Sequence, residues 1–564
     1  MSFEHPKTNG VTIREVEREI MSRRTTHEEL GHDLEVMNLM LDLLGHPEDT
    51  FRIIHITGTN GKGSTARMAE AICRAYGMRT GLYTSPHLQK INERIAVDGQ
   101  QLSDDDFIDT WMQIKDFVAL VDHKMEVDGK APMSYFEILT AMAVWKFADA
   151  PVDVAIFEVG MGGKWDATNA LNGDAAVIGP VDMDHMQWLG DTVEKIATEK
   201  AGIIKHEATA IIGAQPHEAE VMPILEQAAV KEHATLIRDG EEMEVVSRQP
   251  AVGGQLVTLR TPNGTYEDIP VAKFGEHQAH NALAALAAAE TVIPVAGQLT
   301  QDVVAEALGG VKIPGRIEQV RTSPTIIVDG GHNVNAAESL RAALEENYSF
   351  EQLVGVVAMM ADKQVEEYLG TLEPILSHII VTENSWRDRV MPAEELEKIA
   401  VGVFGRDRVT RIDNLPDAIQ EAVNMVDADD ELGVGYGHGV LICGSFVTAG
   451  DARTLLAEKK NPELALPKAQ RVSGNASEGK NKANIGTDDT GDKVETGAES
   501  AKNEDEDIVS EVFGDAFGDF GVKQVPFEGE PEPGNTAEQL RHHANRTSNG
   551  NANGSNKGTS NGGK

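Results

Sequence analysis

Basic residues, cysteines and long apolar runs are all scarce in this 564-residue chain, and each scarcity excludes something. The 50 Lys and Arg stand against 91 Asp and Glu, a formal net charge of −41. That leaves no broad basic surface of the kind nucleic acid or an anionic membrane requires. The acidity is general, because residues 1–460 alone hold 73 Asp and Glu against 39 Lys and Arg. A site for anionic substrates must therefore concentrate its cations locally. Cys73 and Cys443 are the only cysteines, too few for a disulfide framework, and both lie in apolar surroundings. Two buried thiols in a reducing compartment are expected. No run reaches transmembrane length, and the first residues lack the basic-then-apolar order of a signal segment. These absences predict a cytoplasmic protein with no membrane or nucleic-acid partner.

What is present centres on Phe51 to Thr65, FRIIHITGTNGKGST. The β-branched Ile53, Ile54 and Ile56 suit a buried strand, and Gly58, Gly61 and Gly63 let the backbone turn and bring its N–H groups against an anion. A helix from Ser64 to Ala75 aims its positive end at the same point. Lys62 supplies a charge for β- and γ-phosphates, and Ser64 a hydroxyl that reaches Mg²⁺. Only two residues separate Gly58 from Gly61, and Gly63 falls between Lys62 and Ser64, so the strict G-x-x-x-x-G-K-[ST] pattern is not met. On these residues alone the stretch is a nucleoside triphosphate site, with a plain glycine-rich turn as the alternative.

Along the chain, Asp33–Leu44 has helical spacing and Met78–Tyr83 reads as a strand ending in Thr84-Ser85-Pro86-His87-Leu88. Helical segments follow at Phe107–Val121 and Ser134–Ala148, then a buried strand Val152–Glu158 that carries Glu158 to its tip beside Gly160-Met161-Gly162-Gly163. A strand-end carboxylate there suits a Mg²⁺ ligand as well as it suits plain solvation. Ala175–Val181 is a strand running into Asp182-Met183-Asp184-His185. Taken singly, Lys200 reads as a solvated side chain and Asn281, inside an alanine-rich helix His277–Glu290, as a packing detail. Asn263-Gly264 marks a hairpin. At Ile313-Pro314-Gly315-Arg316 a second α/β series begins, with Asp329-Gly330-Gly331-His332-Asn333 at a strand-to-helix turn. Past Lys459 the composition becomes polar and low in complexity, with one short amphipathic island near Ile508–Phe520.

The ordered set GTNGKGS (58–64), SPHL (85–88), EVGMGGKWDATN (158–169), MDHMQWLG (183–190), EKAGIIK (199–205), PGRIE (314–318), DGGHN (329–333) and CGSF (443–446) resembles folylpolyglutamate synthase, often bifunctional with dihydrofolate synthase, in the Mur ligase superfamily. The likeness spans residues 30–457. It implies an α/β fold: a P-loop ATPase domain with a central, mostly parallel sheet (1–313) and a smaller C-terminal Rossmann-like α/β domain (314–459); composition adds a disordered acidic tail (460–564). By position, Gly58, Thr59, Asn60, Gly61, Lys62, Gly63 and Ser64 match the phosphate cradle, and Asn281, Arg316, Asp329 and His332 match ATP-side positions. Ser85, Glu158 and His185 match Mg²⁺ ligands. Lys200 matches a lysine carbamylated in such enzymes, a change that makes it a further Mg²⁺ ligand. Lys62, Lys200 and His185 carry the catalytic roles. Ser134, Tyr135, Phe136 and Glu137, with Trp165, Asp166 and Ala167, match the segments that meet the pterin. Lys164-Trp165 stands where Arg-Leu is common, and residues 26–34, on the pterin side, depart from the family's pattern.

The resemblance implies ATP-dependent amide ligation: L-glutamate joins the carboxylate of tetrahydrofolate, and of dihydropteroate where both activities are present, through an acyl phosphate. ATP, L-glutamate and the reduced folate or dihydropteroate are then the small-molecule partners, Mg²⁺ the cofactor, and a monomer the expected state. One rival is a muropeptide-type ligase, but the 57 residues before Gly58 are too few for its separate nucleotide-recognition domain. The other is a non-ligating nucleotide-dependent switch, disfavoured by metal-ligand candidates on three separate segments.

Overall fold

The computed structural model describes residues 10–23, 34–428 and 437–457, all within one unit, Met1–Lys482. Residues 26–33 of the pterin-side segment and the 460–564 tail lie outside the described residues.

The apolar run before the glycine loop forms β1 (Arg52–Thr57), buried at every position but the first, and the chain then enters a helix, Lys62–Ala75. The helix starts two residues earlier than expected because Gly61, at φ +83°, supplies the left-handed turn into it. Seven further strands complete this sheet: β2 (Thr80–Tyr83), β3 (Ile95–Val97), β4 (Gln100–Gln101), β5 (Val154–Glu158), β6 (Ala175–Ile178), β7 (Thr209–Ile212) and β8 (Thr235–Arg238). Their order is β4-β3-β2-β5-β1-β6-β7-β8, parallel from β2 through β8 and antiparallel at β3 and β4. β1 thus lies between β5 and β6. The loops leaving β2, β5, β1 and β6 all emerge at the carboxyl ends of adjacent strands, where open α/β sheets bind ligands.

A three-stranded antiparallel sheet follows: β9 (Glu244–Ala251), β10 (Gly254–Thr261) and β11 (Gly264–Val271), with Pro262-Asn263 connecting the last two. The alanine-rich helix runs from Glu276 to Val292 and packs against the loop helix in one buried cluster with Ala66, Ala69, Ile72, Ala282, Ala285 and Ala289. Small side chains on both partners allow close approach. That closeness carries Asn281 up to the glycine loop.

The second series forms a six-stranded sheet from β12 (Glu318–Thr322), β13 (Thr325–Val328), β14 (Gln352–Val357), β15 (His378–Glu383), β16 (Val409–Asn414) and β17 (His438–Cys443). The order is β12-β13-β17-β14-β15-β16, parallel except at β12. Strands invisible to periodicity are mostly edges: β4, β8, β9, β12 and β16 each end a sheet, and their side chains are largely exposed or half-buried. An edge strand has no need of a continuous apolar run, so its sequence carries a weak signal. Cys73 and Cys443 are free and buried, as expected.

Candidate functional site

The loop after β1 is folded tightly on itself. Lys62 Nζ donates to Gly58 O at 2.9 Å and Thr59 O at 3.2 Å, while Thr59 Oγ1 is tied to Asp182 O at 3.0 Å. A Cβ on Gly61 would lie 2.5 Å from Asn281 Oδ1, and Thr65 Oγ1 donates to that same oxygen at 3.3 Å. Asn281 is therefore a wall of the loop rather than a packing detail.

Glu158, at the tip of β5, faces the first turn of the loop helix, where a Cβ on Gly63 would sit 3.3 Å from Oε2. The same Oε2 accepts from the Ser85 backbone N–H at 2.9 Å. Burial raises the Glu158 carboxyl above its ordinary range, and Lys62 opposes that rise. Burial in turn lowers the Lys62 ammonium, with Glu158 and Asp184 holding it up. Ser85, Glu158 and Lys62 thus meet as three strand-end loops converge.

His185 leaves β6 in a left-handed turn, φ +51°, and burial depresses its imidazole to about 4, so it is neutral near pH 7. Neutral imidazole is the metal-binding form. Lys200 is only 3% exposed, in the last turn of the helix Val193–Ala201, against the solvated position its sequence surroundings suggest. Burial, followed by the Lys62 charge, pushes its ammonium well below the ordinary range. Its amine has no hydrogen-bond or ion-pair partner among the described residues.

The pterin-side segments also adjoin. Ser134 caps the helix Tyr135–Asp149, and Glu137 Oε2 reciprocates from the Ser134 N–H at 2.7 Å, which consumes much of the polar capacity of both in the cap. Phe136 lies over Gly160, where a Cβ would come within 2.5 Å of its ring. Asp166 is buried, accepts from Met161 N at 2.9 Å and Thr168 N at 3.0 Å, and fixes the turn that presents half-buried Trp165 beside buried Ala167. Burial raises the Asp166 carboxyl against those hydrogen bonds.

The second sheet reaches the same centre. Asp329 spends both carboxylate oxygens on backbone N–H groups, of Gly331 at 2.7 Å and Ile317 at 2.9 Å. It thereby shapes the turn holding Arg316, whose guanidinium lies 5.1 Å from the Phe446 ring centroid, and His332. Asn60 and His332, both expected on the ATP side, help join the two sheets here, and sequence reasoning missed Asp184, Lys363, Asn333 and Asn335 beside them. Asp184 Oδ1 pairs with Lys363 Nζ at 2.8 Å, both about one-tenth exposed, and Oδ2 meets Asn333 Nδ2 at 3.3 Å and His332 Nε2 at 3.6 Å. Asn60 bonds across to Asn333 and Asn335 at 3.2 and 3.0 Å. Burial pushes the Asp184 carboxyl up, but His332, His185 and Lys363 more than offset it and leave it well below the usual range. Lys363 follows β14 as Ser85 follows β2, so the strand-end rule applied to Ser85 would have found it.

Among the described residues no three His, Cys, Asp or Glu side chains converge as a metal site. None of the helices of the described residues is long and apolar enough to cross a membrane.

Comparison with known proteins places this geometry. Residues 56–289 match the Mur ligase middle domain and residues 315–446 the Mur ligase glutamate ligase domain. The chain is 42% identical over 452 residues to a Mycobacterium tuberculosis dihydrofolate synthase/folylpolyglutamate synthase, covering 77% of this chain and 92% of the relative. A M. tuberculosis folylpolyglutamate synthase structure complexed with ADP superimposes with a TM-score of 0.74 at 42% identity, over 79% of this chain and 98% of that one. An Escherichia coli FolC structure in complex with DHPP and ADP gives 0.67 at 27% identity, over 81% and 100%. With the loop, the strand-end carboxylate, the buried lysine and the second α/β sheet all in the expected order, the chain belongs to the dihydrofolate synthase/folylpolyglutamate synthase family of Mur-type ligases.

Proposed function

We propose that the protein is an ATP-dependent ligase that joins L-glutamate to the carboxylate of a reduced folate, and also to dihydropteroate. The observation that carries this reading is the convergence of Lys62, Glu158, His185 and Lys200 with His332 and Lys363 from the second sheet at one centre. Membership in a family whose members carry both activity names supports it.

In this reading the N–H groups of residues 58–64 cradle the β- and γ-phosphates of ATP, and Lys62 leaves its two loop carbonyls for the γ-phosphate. Asn281, Arg316, Asp329 and His332 hold the nucleotide from the opposite wall. Glu158, His185 and the Ser85 hydroxyl fit a Mg²⁺ ion, since the first is an oriented carboxylate and the second a neutral imidazole. When bound, the ion supplies positive charge beside the transferring phosphoryl group. Lys200 fits carbamylation: burial disfavours its ammonium, and the unpartnered amine, once deprotonated, adds CO₂ to form an N–C bond, releases a proton, and becomes an anionic carbamate. Tyr135, Phe136, Trp165 and Ala167 face the pterin, with Ser134, Glu137 and Asp166 fixing their turns.

The acceptor carboxylate attacks the γ-phosphorus, its bond to the bridging oxygen breaks, and ADP leaves an acyl phosphate. Lys62 stabilises charge on the equatorial oxygens during transfer. The amine of glutamate then attacks the acyl carbon, loses a proton, and phosphate departs as the amide forms. The Asp184–Lys363 and Asn60–Asn333 contacts hold the two sheets together and limit water, which otherwise hydrolyses the acyl phosphate.

The test is mass spectrometry of products from the pure protein with Mg-ATP, glutamate, and either dihydropteroate or tetrahydrofolate. A gain of glutamyl units on each acceptor is expected; no gain on either overturns the reading. Lys62→Ala is expected to abolish ligation while keeping the wild-type melting curve. Intact-mass analysis after incubation with labelled bicarbonate, with and without Lys200→Ala, checks the carbamate independently of activity.

A further inference from the structure

A cleft of about 1030 Å³ opens beside the catalytic centre and is not used by the chemistry above. Six cations line it: Arg67, Arg74, Lys90, Lys273, Lys312 and Arg453. In a chain of net charge −41 such a gathering needs a cause.

Three of the six are occupied by the protein itself. Arg74 Nε pairs with Glu70 at 2.8 Å, Lys273 Nζ donates to Ile313 O and Arg316 O at 2.8 and 3.2 Å, and Arg453 Nε lies 2.9 Å from Glu318. The side chains of Arg67 and Lys312 have no hydrogen-bond or ion-pair partner among the described residues, and the Lys90 ammonium pairs with no carboxylate there. Arg67 is the telling one. It is half-buried, so its five N–H donors are partly removed from water, and burial lowers its guanidinium. Four glutamates also line the cleft, and three of them are engaged by other partners, Glu306 being the fourth. Glu93 accepts from the N–H groups of Leu88, Gln89 and Lys90 at 2.8 to 3.0 Å, Glu70 from Arg74 and Thr80, and Glu318 from Gly315 N at 2.7 Å.

The cleft borders the reaction centre, because Arg67 in its lining interacts electrostatically with Glu158. Gly63, whose α-carbon faces Glu158, is four residues before Arg67, so the two share a helix face. From Arg67 to Arg74 that face runs seven residues, about 10 Å at 1.5 Å per residue. A ligand that lies along that face is elongated, and Arg67, Lys90 and Lys312 offer it separate cationic contacts.

We propose that this cleft is a subsite for the γ-linked oligoglutamyl chain of the acceptor or product, with Arg67 and then Lys312 and Lys90 receiving successive α-carboxylates. The inference rests on the ligase reading and extends it, because it says where an already extended substrate lies. Charge-assisted contacts to carboxylates make such a chain bind more strongly as it grows.

The experiment compares mono- and triglutamylated tetrahydrofolate as acceptors for wild type and for the Arg67→Gln/Lys312→Gln double variant, with thermal melting as the check on folding. The ratio of KM for the longer acceptor to KM for the shorter is expected to rise about tenfold in the variant, a loss of about 1.4 kcal/mol, and to return toward wild type in Arg67→Lys. An unchanged ratio overturns the proposal while leaving the ligase reading intact. Titration calorimetry with free tri-γ-glutamate supplies a readout that needs no turnover. Salt-sensitive binding weakened in the double variant supports the subsite, and absence of binding to wild type overturns it. If wild type glutamylates neither acceptor the ligase reading falls, and the calorimetry alone decides the subsite.

Discussion

Replacing Lys363 with methionine is expected to destabilise the protein by about 3 kcal/mol, through Asp184. The pair is 2.8 Å apart and each partner is about nine-tenths buried. At that distance and an effective dielectric of about 20, the gross Coulomb attraction is about 6 kcal/mol. Much of this is offset by desolvation of the ammonium, so the pair's net worth is far smaller. Removing one partner is different, because the Asp184 carboxylate then stays buried without its cation. Breaking such a pair costs about 3–5 kcal/mol. Asp184 keeps Asn333 at 3.3 Å and His332 at 3.6 Å, which puts the expectation at the lower end. Urea unfolding of wild type, Lys363→Met, Asp184→Asn and the double variant forms a cycle. A coupling energy above about 1.5 kcal/mol is expected, since the residues touch. Because Asp184 follows β6 and Lys363 follows β14, the same variants should raise glutamate-independent ATP hydrolysis as the sheets lose their clasp. A Lys363→Met stability within about 0.5 kcal/mol of wild type, the usual range for a surface substitution, would falsify the reasoning.

Two further expectations follow from local contacts. Gly160→Ala places a methyl about where the Phe136 ring sits, with 2.5 Å between them. The ring must move, so KM for the pterin acceptor should rise several-fold with KM for ATP unchanged; equal changes in both would argue against a pterin-side role. Lys205 is partly buried, donates to Asn169 O at 2.7 Å, and is lowered to about 8 chiefly by burial. Its unfolded value is higher, so between about pH 8 and 10.4 the unfolded chain binds more protons and stability rises with pH. The penalty is fully present below pH 8 and relieved above. Denaturant melts should therefore show wild type gaining on Lys205→Met across that window, and parallel curves would refute the shift.

Much of the first sheet and its loops was legible in the sequence because buried parallel strands are written as β-branched runs, and because a tight anion-binding turn admits few residues besides glycine. Lys62 was readable from the phosphate loop and Glu158 from its strand tip, while the ordered motifs supplied the family and with it the role of His185. Other features were invisible for physical reasons. Edge strands such as β9 and β16 face solvent, so they need no apolar signature. Lys200 and Asn281 looked ordinary because burial is not a property of a residue's neighbours in sequence. Only packing placed Lys200 at 3% exposure and brought Asn281 against Gly61 across some 220 positions of chain.

The sequence by itself determined the alternation of strand and helix, the phosphate loop, and the restart of the pattern near Pro314, since these depend on short-range geometry and local burial. Tertiary structure decided which charges meet. Asp184 is one acid among 91 until the second sheet brings Lys363, His332 and Asn333 to it, and Arg67 is an ordinary helical arginine until three glutamates beside it are taken up by other partners. Electrostatic energy depends on distance and burial in space, and neither can be read from spacing along the chain.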